Sequence, residues 1–191
     1  MKGIIVYGSK YGASRDYAIK LKNILGYELL DYRKMSEMDF SCYDVLIYCG
    51  GIYATGIRGL GVLKKHLSEL FTKPVVVFAV GASPYDEEAI LALRKRNFSE
   101  SMKDIPLFYG RGSWDMSSMS IVDRLLCTLL IKSLKKKAPL NRSPWERELV
   151  SLSLSKANWI SASYLGPLLE YIGDTIHQQG LHKEKLAQKN G

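Results

Sequence analysis

The sequence has few cysteines and no long apolar segment. Its three cysteines, Cys42, Cys49 and Cys127, are odd in number and widely spaced, with no CxxC pair. This argues against a disulfide framework or a zinc site and favours reduced thiols, as in the cytosol. The longest nearly uninterrupted apolar run, from Leu125 to Ile131, is far shorter than the ~20 residues of a membrane-spanning helix. Because Met1 leads directly into a strand-like run with no cleavage site, no secretory signal is predicted.

Negative charge is also scarce. The 191 residues include 27 Lys and Arg but 19 Asp and Glu, a net charge of +8. The segment from Ser120 to Arg147 contains seven basic residues and two acidic ones. Its net charge of +5 is most of the net charge of the chain. Such a charge suits nucleic acid, an anionic membrane surface or an acidic partner. Nucleic acid is not expected, because the sequence has no platform of interleaved aromatic and basic residues.

The common nucleotide-binding motifs are absent as well. The loop Tyr7–Ser14 follows the apolar run Gly3–Val6 and precedes a helical pattern, but it has neither Gly-Lys-Ser/Thr nor G-x-G-x-x-G. A strand, a loop and a helix in this order place free N–H groups and the positive end of a helix dipole together. With the hydroxyls of Ser9, Tyr11 and Ser14 as further donors, the loop suits a small phosphomonoester. The alternative is an ordinary turn in which Ser14 caps the helix.

Apolar strand patterns alternate with helical patterns through the first half of the chain. The length and composition favour one domain over residues 1–180, with extra helices at about 111–160 and a polar tail at 181–191. The pattern predicts an α/β fold with a doubly wound, five-stranded parallel sheet. Helices are predicted over Ser14–Leu25, Gly59–Phe71, Met116–Lys137 and Tyr164–Gln179, and a further helix is predicted to begin at Asp86. Strands are predicted over Gly3–Val6, Tyr27–Asp31, Tyr43–Cys49, Val75–Val80 and Pro106–Tyr109. Glycine-rich or small-residue loops follow three of these strands, on the sheet edge where such folds bind ligands, which favours the phosphate site.

The helix predicted over Met116–Lys137 has an apolar face of Val122, Leu125, Leu126, Leu129, Leu130 and Leu134. Two interpretations stay open. The preferred one buries this face in the core and leaves the lysines at the helix C-terminus in solvent. The other places the helix at a membrane surface, in contact through Lys132, Lys135, Lys136 and Lys137.

Several of these segments resemble a known family. Ser9–Ser14 is similar to the flavodoxin phosphate loop, and Gly50–Gly56 and Gly81–Tyr85 match the positions of the two loops that hold the flavin ring. This resemblance covers about Met1–Tyr109 and the last helix. More specifically, Phe108–Gly112 followed by Ile121–Leu126 resembles the flavodoxin branch of menaquinone-dependent protoporphyrinogen dehydrogenase.

The resemblance implies a strand order of 2-1-3-4-5 and flavin mononucleotide (FMN) as the cofactor, with no catalytic side chain and no metal. Lys10 is expected to face solvent, Tyr53 to contact the ring, and Tyr85 or Trp114 to cover it. The three histidines, His66, His177 and His182, are expected in surface or capping roles. The implied cofactor-binding residues are Ser9, Lys10, Tyr11, Gly12, Ala13, Ser14, Gly51, Ile52, Tyr53, Ala54, Thr55, Gly81, Ala82 and Ser83.

Three functions are compatible with this resemblance. The favoured one is an FMN-dependent oxidoreductase similar to protoporphyrinogen dehydrogenase, with a porphyrinogen substrate and a quinone acceptor, cytoplasmic or peripheral at the inner face of the membrane. The second is a one-electron carrier with a soluble redox partner, but the resemblance implies that such carriers are usually acidic, and this chain is basic. The third is a flavin-free binding module, against which the intact hydroxyl loop argues.

Overall fold

The computed structural model describes residues 1–53, 55–152 and 155–175. Predictions for Ala54, Ile176, His177, His182 and the tail at 181–191 lie outside the described residues. The helices are α1 (Ala13–Leu25), α2 (Leu60–Lys65), α3 (Glu87–Asn97), α4 (Ile121–Lys136), α5 (Pro144–Ser151) and α6 (residues 166–175). The strands are β1 (Gly3–Gly8), β2 (Glu28–Asp31), β3 (Val45–Tyr53), β4 (Gly56–Ile57), β5 (Val75–Gly81), β6 (Leu107–Arg111), β7 (Ser113–Trp114) and β8 (Ala157–Asn158).

The main sheet has the order β2-β1-β3-β5-β6, and every neighbouring pair in this order is parallel. The short β4 pairs antiparallel with the end of β3. Among the parallel strands this is the predicted order 2-1-3-4-5, and the doubly wound α/β class is confirmed. Ile5 lies opposite Ile47 and Ile47 opposite Val76, so the apolar runs of the three central strands stay in register.

Helices cover both faces of the sheet, because alternate strand residues point to opposite sides. Ile5, Ile47 and Phe78 belong to one buried cluster, with α1 and α6 packed on it. Val6, Tyr48 and Val77 belong to the other, with α2 and α3 packed on it. The central strands are therefore buried on both faces, as their continuous apolar runs indicate.

Several predicted boundaries were wrong. The strand predicted to end at Cys49 continues to Tyr53, because Gly50 and Gly51 still pair with Ala79 and Val80 of β5. The helix predicted over Gly59–Phe71 is shorter: α2 ends at Lys65 and turns follow. The helix predicted from Met116 begins at Ile121, after a short 3₁₀ turn.

The segment after β6 forms a separate unit of secondary structure at the edge of the sheet. β7 and β8 pair antiparallel. Between them in the sequence lie α4 and α5, which pack on each other. Ser120 begins α4 by accepting a hydrogen bond from the Asp123 N–H at 3.2 Å. In the described part of the chain, no helix is both long enough and apolar enough to cross a membrane.

The prediction that the apolar face of α4 is buried in the core was wrong. Of its six residues only Leu134 is buried; the others are exposed or nearly half exposed. The side of α4 that meets the protein instead carries Asp123, Ile131 and Leu134. Helical periodicity identified an apolar face, but it could not identify what covers that face.

Candidate functional site

A cavity of about 390 Å³ opens at the edge of the sheet where β1, β3 and β5 end. This volume is within the range of small-molecule sites. The first loop, the end of β3, the end of β5 and one side of α4 form its walls. Its lining residues are Ser9, Lys10, Tyr11, Ala13, Ser14, Gly51, Ile52, Tyr53, Arg58, Val80, Gly81, Ala82, Gly112, Ser113, Trp114, Met119, Asp123, Leu126, Cys127 and Leu130.

The first loop forms the floor of the cavity and leads into α1. Its turn is closed by the Gly12 N–H, which donates to Ser9 Oγ at 3.0 Å. Gly12 has a φ of 99°, in the region that favours glycine. The first turn of α1 therefore begins directly at the cavity wall, where Ala13 and Ser14 lie.

Ser14 does not cap α1, so the interpretation of this loop as an ordinary Ser14-capped turn was wrong. Ser14 lies within the helix, is buried, and donates its hydroxyl to Gly8 O at 3.0 Å. The N-cap is Gly12, which has no side chain to accept a hydrogen bond. Since the first N–H groups of a helix have no partner within it, the end of α1 retains donors for an anion.

The loop after β3 is a tight hairpin. Tyr53 pairs with Gly56 across it, and Thr55 has a φ of 70°, an uncommon conformation for a β-branched residue. Asn97 of α3 supports the hairpin: its Nδ2 donates to Thr55 O at 2.8 Å and its Oδ1 accepts from the Ile57 N–H at 2.9 Å. Strained backbone held by neighbouring structure is typical of functional loops.

The loop after β5 is held by side chains from β6. Tyr109 donates its hydroxyl to Ser83 O at 2.5 Å, and Arg111 Nε donates to Ala82 O at 3.0 Å. Arg111 itself is fixed between the carboxylate of Glu148 and the ring of Trp159, whose centroid lies 3.6 Å from its guanidinium carbon. The backbone at Gly81–Ser83 is thus placed rigidly beside the cavity.

A single carboxylate joins α4 to the two loops opposite. Asp123 is 3% exposed and accepts hydrogen bonds from the hydroxyls of Tyr11 and Tyr53. Lys10 Nζ lies 2.5 Å from its Oδ2. Lys10 also lies over the Tyr53 ring, 4.0 Å from the centroid. Asp123 therefore connects the first loop, the end of β3 and α4 across the cavity.

The charges of this cluster stabilise one another. Lys10, followed by Tyr11 and Tyr53, holds the pKa of Asp123 well below its usual range. The hydrogen bond to Asp123 raises the pKa of Lys10 and also that of Tyr53. Asp123 is thus ionised and Lys10 protonated at neutral pH. Lys10 is exposed, as expected, but its ammonium group also pairs with the Asp123 carboxylate in the cavity wall, which was not predicted.

The cavity brings together most of the predicted cofactor-binding residues, and their role in binding stays a prediction. Thr55 and Ser83 line a neighbouring cavity of about 450 Å³ that shares Ile52, Gly81 and Ala82 with the first. Gly12 is not in the lining but lies between Tyr11 and Ala13, which are, and Ala54 is outside the described residues. The residues in the wall of the first cavity are Ser9, Lys10, Tyr11, Ala13, Ser14, Gly51, Ile52, Tyr53, Gly81 and Ala82.

The two candidates for covering a flavin ring lie in different places. Trp114 is buried in the cavity wall, with its indole N–H donated to Leu152 O at 3.1 Å. Tyr85 is exposed, packs edge-on against Tyr109, and lines neither cavity. Of these two aromatic residues, Trp114 alone is placed to bound the first cavity.

Sequence reasoning did not identify Asp123 and Arg58 as site residues. Asp123 occupies the first turn of α4, where an acidic residue is expected for the helix dipole, so its position gave no separate signal. Arg58 follows the hairpin, and its Nε is buried without a hydrogen-bond partner among the described residues. A buried donor facing a cavity suits an oxygen-bearing ligand.

Residues 4–141 match a family model described as the flavodoxin domain. The chain belongs to the flavodoxin domain family. Among curated proteins no match was found for this flavodoxin-domain chain.

Solved structures similar to the flavodoxin-domain chain include the Trp repressor binding protein from Bacillus subtilis, at 18% identity over 58% of this chain and 85% of that one, with a TM-score of 0.43. A WrbA-like flavodoxin from Agrobacterium tumefaciens is 16% identical over 64% and 87%, with a TM-score of 0.40. A flavoprotein in complex with FMN from Lactobacillus acidophilus NCFM is 12% identical over 58% and 91%, with a TM-score of 0.39.

Proposed function

We propose that this protein binds FMN in the first cavity and acts as a flavoprotein oxidoreductase. Family membership supports a flavin as the ligand. The observation that carries the proposal is the uncapped N-terminus of α1, which opens into a cavity at the carboxyl ends of β1, β3 and β5. A phosphate at a helix N-terminus and a ring between the following loops are the arrangement that this edge of the sheet favours.

The residues present fit this cofactor. The Ser9 hydroxyl and the N–H groups in the first turn of α1 are donors without fixed charge, which suit a phosphate ester. Of the charged residues in the cavity wall, Lys10 and Arg58 outnumber Asp123, so the described lining carries a net charge of +1. Ile52, Ala82 and Leu126 supply apolar surface for a flat ring.

Each wall has a separate task under this proposal. The end of α1 binds the phosphate, and the rigid backbone at Gly81 and Ala82 orients the pyrimidine edge of the ring. α4 covers the cavity and excludes water, held in place by Asp123. When bound, the flavin supplies the capacity to accept and release electrons or hydride.

We also propose a finer function, the oxidation of a porphyrinogen with a quinone as the acceptor of its electrons and protons. The sequence resemblance at Phe108–Gly112 and Ile121–Leu126 supports it. The apolar side chains of Leu126 and Leu130, which α4 contributes to the cavity, also suit a hydrophobic substrate. A soluble one-electron carrier does not need an apolar cover of this kind.

Purification of the full chain with added FMN tests the first proposal. We expect a yellow protein with about one FMN per chain. Ile52→Glu, which places a charge in the cavity wall, is expected to abolish FMN uptake, while Leu91→Glu, on the exposed side of α3, serves as a control that retains it. A folded protein that takes up no FMN would contradict the proposal.

Anaerobic turnover tests the finer function. The FMN-loaded protein is expected to oxidise protoporphyrinogen only when a menaquinone analogue is added. No turnover, together with two well-separated one-electron steps in a redox titration, would instead identify a carrier. FMN binding without either property would retain the flavoprotein and reject both finer functions.

A further inference from the structure

The outer face of α4 is an exposed apolar surface that the cofactor site does not explain. Ile121, Leu125 and Leu129 recur at four-residue intervals and are 85%, 57% and 54% exposed. Residues spaced in this way lie on one side of a helix. Aliphatic side chains of this size, adjacent and exposed, indicate an interaction surface.

The same face ends in positive charge. Lys132 and Lys136 continue the stripe of Leu125 and Leu129 along the last turns of the helix, and Lys135 lies beside them; all three lysines are exposed. No carboxylate among the described residues lies within ion-pair distance of these three lysines. Their charge is therefore available to an external anionic surface.

The acidic residues of this region do not offset that charge at the surface. Asp123 and Glu146, the two acids between Ser120 and Arg147, are both buried. Asp123 is paired inward with Lys10, and Glu146 pairs with Lys137 at 2.7 Å. This region therefore presents aliphatic side chains and cations outward, without exposed carboxylates.

We propose that α4 docks on an anionic lipid bilayer, with its aliphatic stripe inserted at the interface and its lysines among the headgroups. A helix of 16 residues is about 24 Å long and can lie in the plane of the interface. Leucine and isoleucine supply the insertion energy, and each lysine adds attraction to anionic lipid. An acidic protein partner would satisfy the lysines but would not require a row of purely aliphatic contacts along more than two turns of helix.

The docking surface is continuous with the cavity. Leu126 and Leu130 line the cavity and are still 55% and 43% exposed. They lie on α4 between the outward stripe and the side that carries Asp123. The cavity mouth therefore lies at the edge of the docked face. Docking itself goes beyond the proposed redox function and does not depend on it.

Vesicle sedimentation with the full chain tests the proposal. We expect binding to vesicles of mixed phosphatidylglycerol and phosphatidylcholine, weakened by salt, and little binding to pure phosphatidylcholine. Leu125→Ser with Leu129→Ser should weaken binding at least about tenfold. The matched control, Leu91→Ser on α3, removes an equally exposed leucine and should leave binding unchanged.

The lysines have their own matched pair. Lys132→Ser with Lys136→Ser should weaken binding about thirtyfold, whereas Lys64→Ser with Lys65→Ser, the same charge change on α2, should have little effect. Circular dichroism checks that each variant is folded. Three results would overturn the proposal: no binding to anionic vesicles, binding insensitive to the leucine changes, or a dimer in solution that the leucine changes dissociate while no vesicle binding occurs.

Discussion

Two glycines at opposite ends of α1 provide a sharp test of the phosphate loop. Gly12 at the N-terminus and Gly26 at the C-terminus have φ values of 99° and 70°, and a Cβ added at either would have no atom within 4 Å. Alanine at each position would therefore introduce backbone strain without a steric clash. Only Gly12 lies beside the cavity, so Gly26→Ala is a control for the strain itself.

The strain sets the size of the expected effects. An alanine forced into these conformations costs about 1–3 kcal/mol. For a domain of this length, each kcal/mol lowers the melting temperature by about 2–4 °C. Gly26→Ala should show the whole cost as lost stability. In Gly12→Ala, a shift of the loop can relieve part of the strain. Because the cofactor binds the unshifted loop, that part returns on binding and lowers the affinity for FMN.

Affinity for FMN therefore separates the two variants. Gly12→Ala should bind FMN more weakly than wild type, by about fivefold to 150-fold if the loop relieves all of the strain and by less if it relieves a part. Gly26→Ala should bind it as wild type does. The assays are thermal unfolding of the cofactor-free protein and titration by quenching of flavin fluorescence. Equal loss of affinity in both variants, or wild-type affinity in Gly12→Ala when its melting temperature falls less than that of Gly26→Ala, would refute the assignment of this loop.

Three further predictions concern single side chains. Ser14→Ala, which leaves the buried Gly8 carbonyl without its hydroxyl donor, should destabilise the protein by about 1 kcal/mol, measured by denaturant unfolding. Thiol alkylation at neutral pH should modify exposed Cys42 first; Cys127, in the cavity wall with a pKa raised by burial, should react slowly and more slowly still with FMN, and buried Cys49 only after unfolding. Hydrogen bonds from Ser117, then the pairing with Lys156, lower the pKa of Asp115 to about 2, so its contribution to stability is present above about pH 4 and is lost as the pH falls towards 2. The melting temperature of Asp115→Asn should accordingly depend less on pH in this window; an unchanged profile would contradict the role of Asp115.

The parallel sheet could be predicted because its strands are continuous apolar runs. Val75–Val80 and the stretch from Val45 to Cys49 are apolar at nearly every position, which is required of strands buried on both faces. α1 could be bounded as well, since Gly26 ends it in the left-handed conformation. The end of β3 could not, because Gly50 and Gly51 have poor strand propensity and pair only through the register of their neighbours.

The site was predictable to the extent that it is made of loops. Loops that follow parallel strands meet at one edge of the sheet whatever their sequence, so the first loop and Gly81 could be placed together. The contribution of α4 could not be foreseen, because Asp123 reaches Tyr11 and Tyr53 across more than 60 positions of sequence. A single acidic residue in an amphipathic helix does not reveal its distant partners.

The β7–β8 ribbon has a consequence for how this fold can change. Ser113 lies opposite Asn158, so everything between them leaves the sheet edge and returns to it at neighbouring backbone positions. The Trp159 N–H donates to Gly112 O at 3.0 Å and closes the same gap. α4 and α5 thus lie between the two strands of a separate small sheet. Because the two ends of this segment lie side by side, the residues between Ser113 and Asn158 could be replaced by a shorter or different segment without a change in the main sheet. The same sheet would then have a different structure over its cavity.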